Sequence, residues 1–338
     1  MDKGRYLVCD IGGTNIRIAM FEGDPRHRTA EANYRENAKT GRAWEVVAAL
    51  EDYRSRMAGE LRGACFGIAG RVRDDGAWVA LTNRANVTVR REEVAKVLEL
   101  DPSHVRLVND MPPHIACVDH LQPSERVTIK GGSADAGGTR AIVMPGSGLG
   151  VGGAVCCDGT YRPFPSEGGH LGFAPRDEEQ DRLLASARRL ARLEGLDVVS
   201  NEYLVSGPGL RRIHACLINP DAPSLNDVPE SETIAALAGR DDIPADEPRR
   251  RTVLMFTRLL GQVCGNVALI ELATGGLWVG GSICLQFRDE LQTDTFREPF
   301  LSSGPPAHRS LLEEIPITLI DYKESGLLGA GVLAMQMG

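Results

Sequence analysis

The chain has 338 residues, long for one hydrophobic core and comfortable for two domains of ordinary size. Apolar residues make up 42 % and charged residues 25 %, the usual balance of a soluble globular protein. A net charge of −8 speaks against nucleic acid as the main partner, since phosphate backbones ask for a clustered basic face.

Met1-Asp2-Lys3-Gly4-Arg5 runs straight into Tyr6-Leu7-Val8-Cys9-Asp10, an apolar stretch too short for a signal peptide. Nowhere do about 18 apolar residues follow one another, so no membrane-spanning helix is expected. The eight cysteines are scattered without a Cys-x-x-Cys pair, and read as reduced core residues of a cytoplasmic protein. Residues 6–10 form a continuous apolar run ending in an acid, the pattern of a buried strand. Ile11-Gly12-Gly13-Thr14-Asn15 is a glycine turn, after which Ile16, Ile18 and Met20 alternate as in a second strand. Helical spacing follows at 93–100, then a strand at 105–108 that ends on Asn109-Asp110. Strand, glycine turn and strand recur at 141–144, Pro145-Gly146-Ser147-Gly148-Leu149-Gly150 and 151–157. Further on, helical patterns cover 181–193 and 252–272, and a strand at 276–279 leads into Gly280-Gly281-Ser282. Strands alternating with helices place the chain in the α/β class. One strand–turn–strand device in each half predicts a duplicated, two-domain architecture with a cleft between the domains.

Glycine turns after strands often bind phosphates, because backbone N–H groups can approach oxygen atoms without side-chain interference. A P-loop would need lysine after its last glycine, and none of Lys3, Lys39, Lys96, Lys130 and Lys323 has that context. The His-Arg-Asp and Asp-Phe-Gly signatures of protein kinases are absent. Gly148, Gly150 and Gly153 match the dinucleotide fingerprint in spacing, but that turn should open a helix, whereas Ala154-Val155-Cys156-Cys157 prefers a strand. What remains is a pair of hairpin turns, each offering N–H groups to one part of a nucleoside triphosphate. Asp10, taken alone, reads as a turn or cap residue. Beside Gly12-Gly13-Thr14-Asn15 it becomes a candidate to hold Mg²⁺ through water, since Mg²⁺ keeps several of its waters.

Together these residues resemble the bacterial glucokinase family, outside its ROK branch and within the actin, Hsp70 and hexokinase superfamily. Asp10-Ile11-Gly12-Gly13-Thr14-Asn15-Ile16-Arg17 is similar to the family's first phosphate motif, and Gly146-Ser147-Gly148-Leu149-Gly150 to its second. Asn109-Asp110 resembles the sugar and catalytic pair, and Glu167-Gly168-Gly169-His170 the sugar-binding segment. Glu202 stands before Ser206-Gly207-Pro208-Gly209-Leu210 as the family's further sugar-binding glutamate does. Gly280-Gly281-Ser282-Ile283 resembles the adenosine motif, and Gly326-Leu327-Leu328-Gly329-Ala330-Gly331 the closing helix.

The resemblance implies a duplicated ribonuclease H-like fold of the actin and hexokinase type. Its small α/β domain would cover 1–120 plus 321–338 and its larger α+β domain 121–320. It implies ATP-dependent phosphorylation of glucose on the 6-hydroxyl, with Asp110 as the catalytic base and Asn109, Asp110, Glu167, His170 and Glu202 on the sugar. ATP would be held by Asp10, Gly12, Gly13, Thr14, Asn15, Gly146, Ser147, Gly148, Gly280 and Gly281, with Mg²⁺ on Asp10. A homodimer in the cytoplasm is expected, and neither zinc, nucleic acid nor membrane. Another hexose, such as mannose or glucosamine, or a weakly active sugar sensor, are the alternative readings. Three segments depart from the family pattern: Met111-Pro112-Pro113-His114 after the catalytic pair, Asn86 in place of a tryptophan, and Arg71 after Ile68-Ala69-Gly70. All three bear on the sugar side, so they imply a less steep preference for glucose over a neighbouring hexose.

Overall fold

An apolar run and one chain reversal begin the first sheet: β1 (Arg5–Ile11) pairs antiparallel with β2 (Asn15–Glu22), with Asp10 opposite Arg17. This computed structural model describes residues 4–12, 15–35, 45–57, 59–82 and 87–337, and of Ala30 and Arg35 the backbone only. Gly13, Thr14 and Asn86 therefore lie outside the described residues. Two compact units form, one of Met1–Leu121, Arg162–Pro165 and Glu324–Gly338, the other of Gln122–Tyr161 and Ser166–Lys323.

In the first unit, β3 (Arg28–Arg35) continues the hairpin, and α1 (Val46–Ser55) buries Val46, Ala49, Leu50 and Tyr53 along one stripe. Strand β4 (Gly63–Ile68) is buried at every position and lies parallel to β1, as a central strand covered on both faces must. A small antiparallel sheet follows, made of β5 (Gly70–Arg73), β6 (Trp78–Leu81) and β7 (Thr88–Arg90). Next come α2 (Arg91–Leu98), β8 (Val105–Asn109) parallel to β4, and α3 (Met111–Ala116). Sheet order is β3-β2-β1-β4-β8. The period-two alternation of β1 serves both faces: Leu7, Cys9 and Ile11 join the core under α1 and α2, while Tyr6 and Val8 pack on Leu327, Ala330 and Leu333 of the C-terminal helix Ser325–Met335.

The second unit is built on β9 (Arg126–Lys130), β10 (Arg140–Pro145) and β11 (Leu149–Cys157), with β12 (Thr160–Ser166), whose residues 162–165 group with the first unit, at the edge of the same sheet. After them come α4 (Glu178–Leu193), α5 (Asn201–Leu204), α6 (Gly207–Ile218), α7 (Ser231–Ala235) and α8 (Pro248–Ile270). The unit continues with β13 (Leu277–Val279), α9 (Gly281–Gln286) and β14 (Ile317–Ile320). Sheet order is β12-β11-β10-β13-β14-β9, with β10 antiparallel to β11 and parallel to β13. Length and composition would let α8 cross a membrane, but its apolar window is 72 % buried inside the unit, as in the core helix of a globular domain.

Local chemistry moved several boundaries from the expected ones. Helix α8 begins at Pro248, not 252, because the Glu247 carboxylate accepts from Arg250 N at 2.8 Å and proline suits a first helical turn. It stops at Ile270, since Leu272 takes a left-handed φ of 48°. Asp177 likewise starts α4 at Glu178, accepting from Gln180 N at 2.9 Å. Glu99, with φ 57°, ends α2 at Leu98. Met111-Pro112-Pro113 does not prevent a helix: both prolines lie in the first turn of α3 and are buried there.

Candidate active site

In the first unit the chemistry gathers at the carboxyl ends of parallel strands. Asp10 ends the apolar run of β1 with its side chain 23 % exposed, and the Arg17 guanidinium from the facing strand stands 3.6 Å away. Gly12 N donates to Asn15 O at 3.0 Å, bringing the end of β1 back onto the start of β2. Asn109 is the last residue of β8, opposite Ile68. Its amide donates to Gly70 O at 3.1 Å, and its Oδ1 accepts from Met111 N at 3.1 Å. These two bonds fix the step from strand to helix and leave the amide one N–H and one lone pair for a ligand. Asp110, half-buried, occupies that step.

Behind Asp10 lies a histidine that the family motifs do not include. His114 of α3 shares a 2.8 Å hydrogen bond through Nδ1 with Ser325 Oγ at the start of the C-terminal helix. Burial holds the His114 pKa below its usual value, against the opposing pull of the Asp10 carboxylate; the Arg17 charge lowers it further. The imidazole is thus neutral at physiological pH. A β-carbon on Gly326 would stand 3.2 Å from His114 Cε1 and 3.3 Å from Asp10 Cγ, so the helix approaches both through the missing side chain.

The second unit gathers the expected sugar ligands. Glu167 precedes a single 3₁₀ turn, Gly168–His170, which swings His170 back towards it. His170 Nε2 lies 3.6 Å from Glu167 Oε2, and Nδ1 lies 3.7 Å from Glu202 Oε1. Two carboxylates thus flank one imidazole, with Glu167 the most open of the three and Glu202 the least. Such a set presents acceptors at several angles, which suits the paired hydroxyls of a sugar. The other oxygen of Glu202, Oε2, accepts from Leu149 N at 2.9 Å, at the end of the glycine turn between β10 and β11.

That turn also borders a cavity of about 450 Å³. Gly146 and Ser147 line it on one side, Gly207, Pro208 and Arg211 of α6 on another, and Ser282 and Ile283 of α9 on a third. Gly280 and Gly281 stand just before those lining residues, with Gly280 N donating to Val143 O at 3.3 Å. Gly148 faces the other way, against Glu202. Ser231 and Glu232 of α7 complete the wall. Sequence reasoning missed Arg17, His114, Ser325, Arg211, Ser231 and Glu232. Three of them had a signal: Arg17 closes the first phosphate motif, His114 closes the segment that departs from the family after Asp110, and Arg211 lies one helical turn beyond Gly207-Pro208.

Comparison with known proteins bears on this geometry as a whole. A glucokinase of Tolumonas auensis is 32 % identical over 334 residues, covering 98 % of this chain and 97 % of that protein. The crystal structure of a glucokinase from an Antarctic psychrotroph superposes with a TM-score of 0.78 at 25 % identity, over 98 % of this chain and 99 % of that one. The glucokinase of Balamuthia mandrillaris, solved with glucose, has the same fold, with a TM-score of 0.80 at 19 % identity over 98 % and 94 % of the two chains. With the family model described as Glucokinase matched from residue 7 to residue 337, the chain belongs to the glucokinase family.

Proposed function

We propose that this sugar kinase transfers the γ-phosphoryl group of ATP to the 6-hydroxyl of glucose, giving glucose 6-phosphate at the entry to glycolysis. The observation that carries the reading is the Glu167–His170–Glu202 set, built against the very turn, Gly146–Leu149, that borders the cavity. Asp110 accepts the proton of the 6-hydroxyl as that oxygen attacks phosphorus. Asn109, Glu167, His170 and Glu202 hold the remaining hydroxyls and set the attack in line. The cavity takes the adenosine end of ATP beside Gly280 and Gly281. The turns at Gly12–Asn15 and Gly146–Gly148 offer N–H groups to the phosphates.

Asp10 is the residue that fits Mg²⁺. A lone, partly exposed carboxylate beside a phosphate turn suits an ion that keeps most of its waters, and among the described residues no group of three or more His, Cys, Asp or Glu forms a protein cage for a metal. When bound, Mg²⁺ neutralises charge that develops on the transferred phosphoryl group.

The fold reads as a duplicated ribonuclease H-like architecture, supported by the two sheets. In each, an antiparallel hairpin is followed by two parallel strands, β2-β1-β4-β8 in one unit and β11-β10-β13-β14 in the other. A small domain of 1–120 plus 321–338 and a large one of 121–320 are supported by the compact units, which set 121 and 162–165 with the first and 321–323 with the second. A homodimer acting in the cytoplasm, without zinc, nucleic acid or membrane, is carried over from the family.

The test is direct detection of glucose 6-phosphate from glucose and ATP, with and without Mg²⁺, repeated with mannose and glucosamine. Glucose is expected to give the highest kcat/KM and chelation of Mg²⁺ to abolish turnover. A higher kcat/KM with mannose or glucosamine would move the assignment to that hexose, and no product with any of them would overturn it.

A further inference from the structure

The segment 202–207 grips the phosphate turn at both ends. At its start, Glu202 Oε2 accepts from Leu149 N at 2.9 Å; at its end, Gly207 N donates to Gly146 O at 2.7 Å. The turn is itself tight, Gly146 N donating to Gly148 O at 2.7 Å, so these bonds bracket the whole reversal. Its fit is close: a β-carbon on Gly148 would come within 2.6 Å of Glu202 Oε2. The other carboxylate oxygen faces His170 Nδ1 at 3.7 Å, longer than a hydrogen bond, with the side chain one-third exposed. One oxygen is thus committed to the turn, and the other is left with an open coordination position on the sugar side.

Both ends of this link are anchored. Phe173 N donates to Val199 O at 2.9 Å and Asn201 N to Leu171 O at 2.8 Å, tying the segment that follows His170 to the one that leads into Glu202 through a single β-bridge, Gly172 to Ser200. Ser200 Oγ accepts from Tyr203 N at 3.1 Å and sets the start of α5. With the backbone fixed, the rotamer of the Glu202 side chain decides whether Oε2 stays on Leu149 N.

We infer that Glu202 is a positioning residue for the phosphate turn as well as a sugar ligand, so that glucose and nucleotide binding are positively coupled through its carboxylate. Sugar hydroxyls donating to Oε1 restrict the side chain to the rotamer in which Oε2 holds Leu149 N–H. The turn Gly146–Leu149 then meets the triphosphate already ordered. Because coupling is reciprocal, nucleotide tightens glucose by the same factor. The inference rests on Glu202 being a sugar ligand, as proposed above.

The experiment is calorimetric titration of the full chain with glucose, alone and with saturating Mg²⁺ and a non-hydrolysable ATP analogue. For the wild type we expect the analogue to lower the glucose Kd by at least about fivefold, within the usual range of such couplings. Glu202→Ala should weaken glucose and bring that ratio to within about twofold of one. Glu202→Gln keeps an oxygen to accept from Leu149 N, and should restore at least about half of the wild-type ratio although it binds glucose less tightly than wild type. A wild-type ratio near one overturns the inference. So does a wild-type-like ratio in Glu202→Ala with weakened glucose binding, and the sugar assignment then survives. Glucose affinity unchanged in Glu202→Ala overturns the sugar role itself and the inference with it.

Discussion

Gly148 and Glu202 show how one missing β-carbon supports a site. A methyl at position 148 would meet Glu202 Oε2 at 2.6 Å, and a flexible carboxylate is the partner that can move. Gly148→Ala should therefore fold normally but turn the carboxylate off Leu149 N. Losing a hydrogen bond to a charged group is worth about 1.5–3 kcal/mol, so glucose kcat/KM should fall by roughly 10- to 150-fold. Steady-state kinetics and an unfolding curve check this together; unchanged kcat/KM would mean that the Glu202 contact is idle. Glu271 is a second residue whose environment predicts its behaviour. It follows the last residue of α8, where carbonyl ends disfavour an anion, and its Oε2 has no hydrogen-bond partner. Burial pushes its carboxyl from 4.5 up to about 8. Between those values the folded chain holds a proton that the unfolded chain has released, so stability falls as pH rises through this window. Glu271→Gln removes that loss. Its thermal midpoint should match wild type near pH 4 and exceed it at pH 8.5; equal midpoints at both would show that Glu271 ionises freely when folded.

At the scale of elements, α3 and the C-terminal helix meet through His114 and Ser325, whose bond joins residues 211 positions apart. Ser325→Ala leaves His114 Nδ1 without its partner inside the unit. This should lower the unfolding free energy by about 1–3 kcal/mol, read from denaturant midpoints, with Ser325→Thr closer to wild type. A midpoint unmoved by Ser325→Ala would show that the bond contributes nothing. The pair also marks where the sequence stops being legible. The apolar run at 6–10, the alternation of Ile16, Ile18 and Met20, and the glycine turns locate both hairpins, because strand patterning and turn chemistry are local. Asp10 and Asn109-Asp110 could be read as strand ends for the same reason. Ser325 as the partner of His114, and Leu149 N–H as that of Glu202 Oε2, could not, since only the closed fold makes those contacts. Glu247 and Asp177 cap α8 and α4, and apolar spacing alone starts each helix later than its capped polar first turn. The proline pair after Asp110 broke a family pattern without breaking the helix, because a first turn needs no N–H from proline.

For the whole molecule, substrate choice should follow from how each sugar hydroxyl is held. In the proposed site, the acceptors of Glu167, His170 and Glu202 would lose a partner if a hydroxyl were deleted, and a site that hydrogen-bonds a hydroxyl rejects the analogue lacking it far more strongly than it rejects a change in bulk. Glucose analogues deoxygenated at the held positions should therefore lose more kcat/KM than mannose, galactose or glucosamine lose by altered shape. The reverse order in a steady-state panel would contradict the assignment of these three residues.

The proposed chemistry turns on a single carboxylate at the step from β8 to α3. Asp110→Asn keeps its shape and its capacity to hydrogen-bond but cannot accept the 6-hydroxyl proton. With saturating glucose and Mg-ATP, kcat should fall by about 10²- to 10⁴-fold, while glucose affinity measured by calorimetry changes much less. A variant that keeps more than about a third of the wild-type kcat would show that Asp110 is not the base.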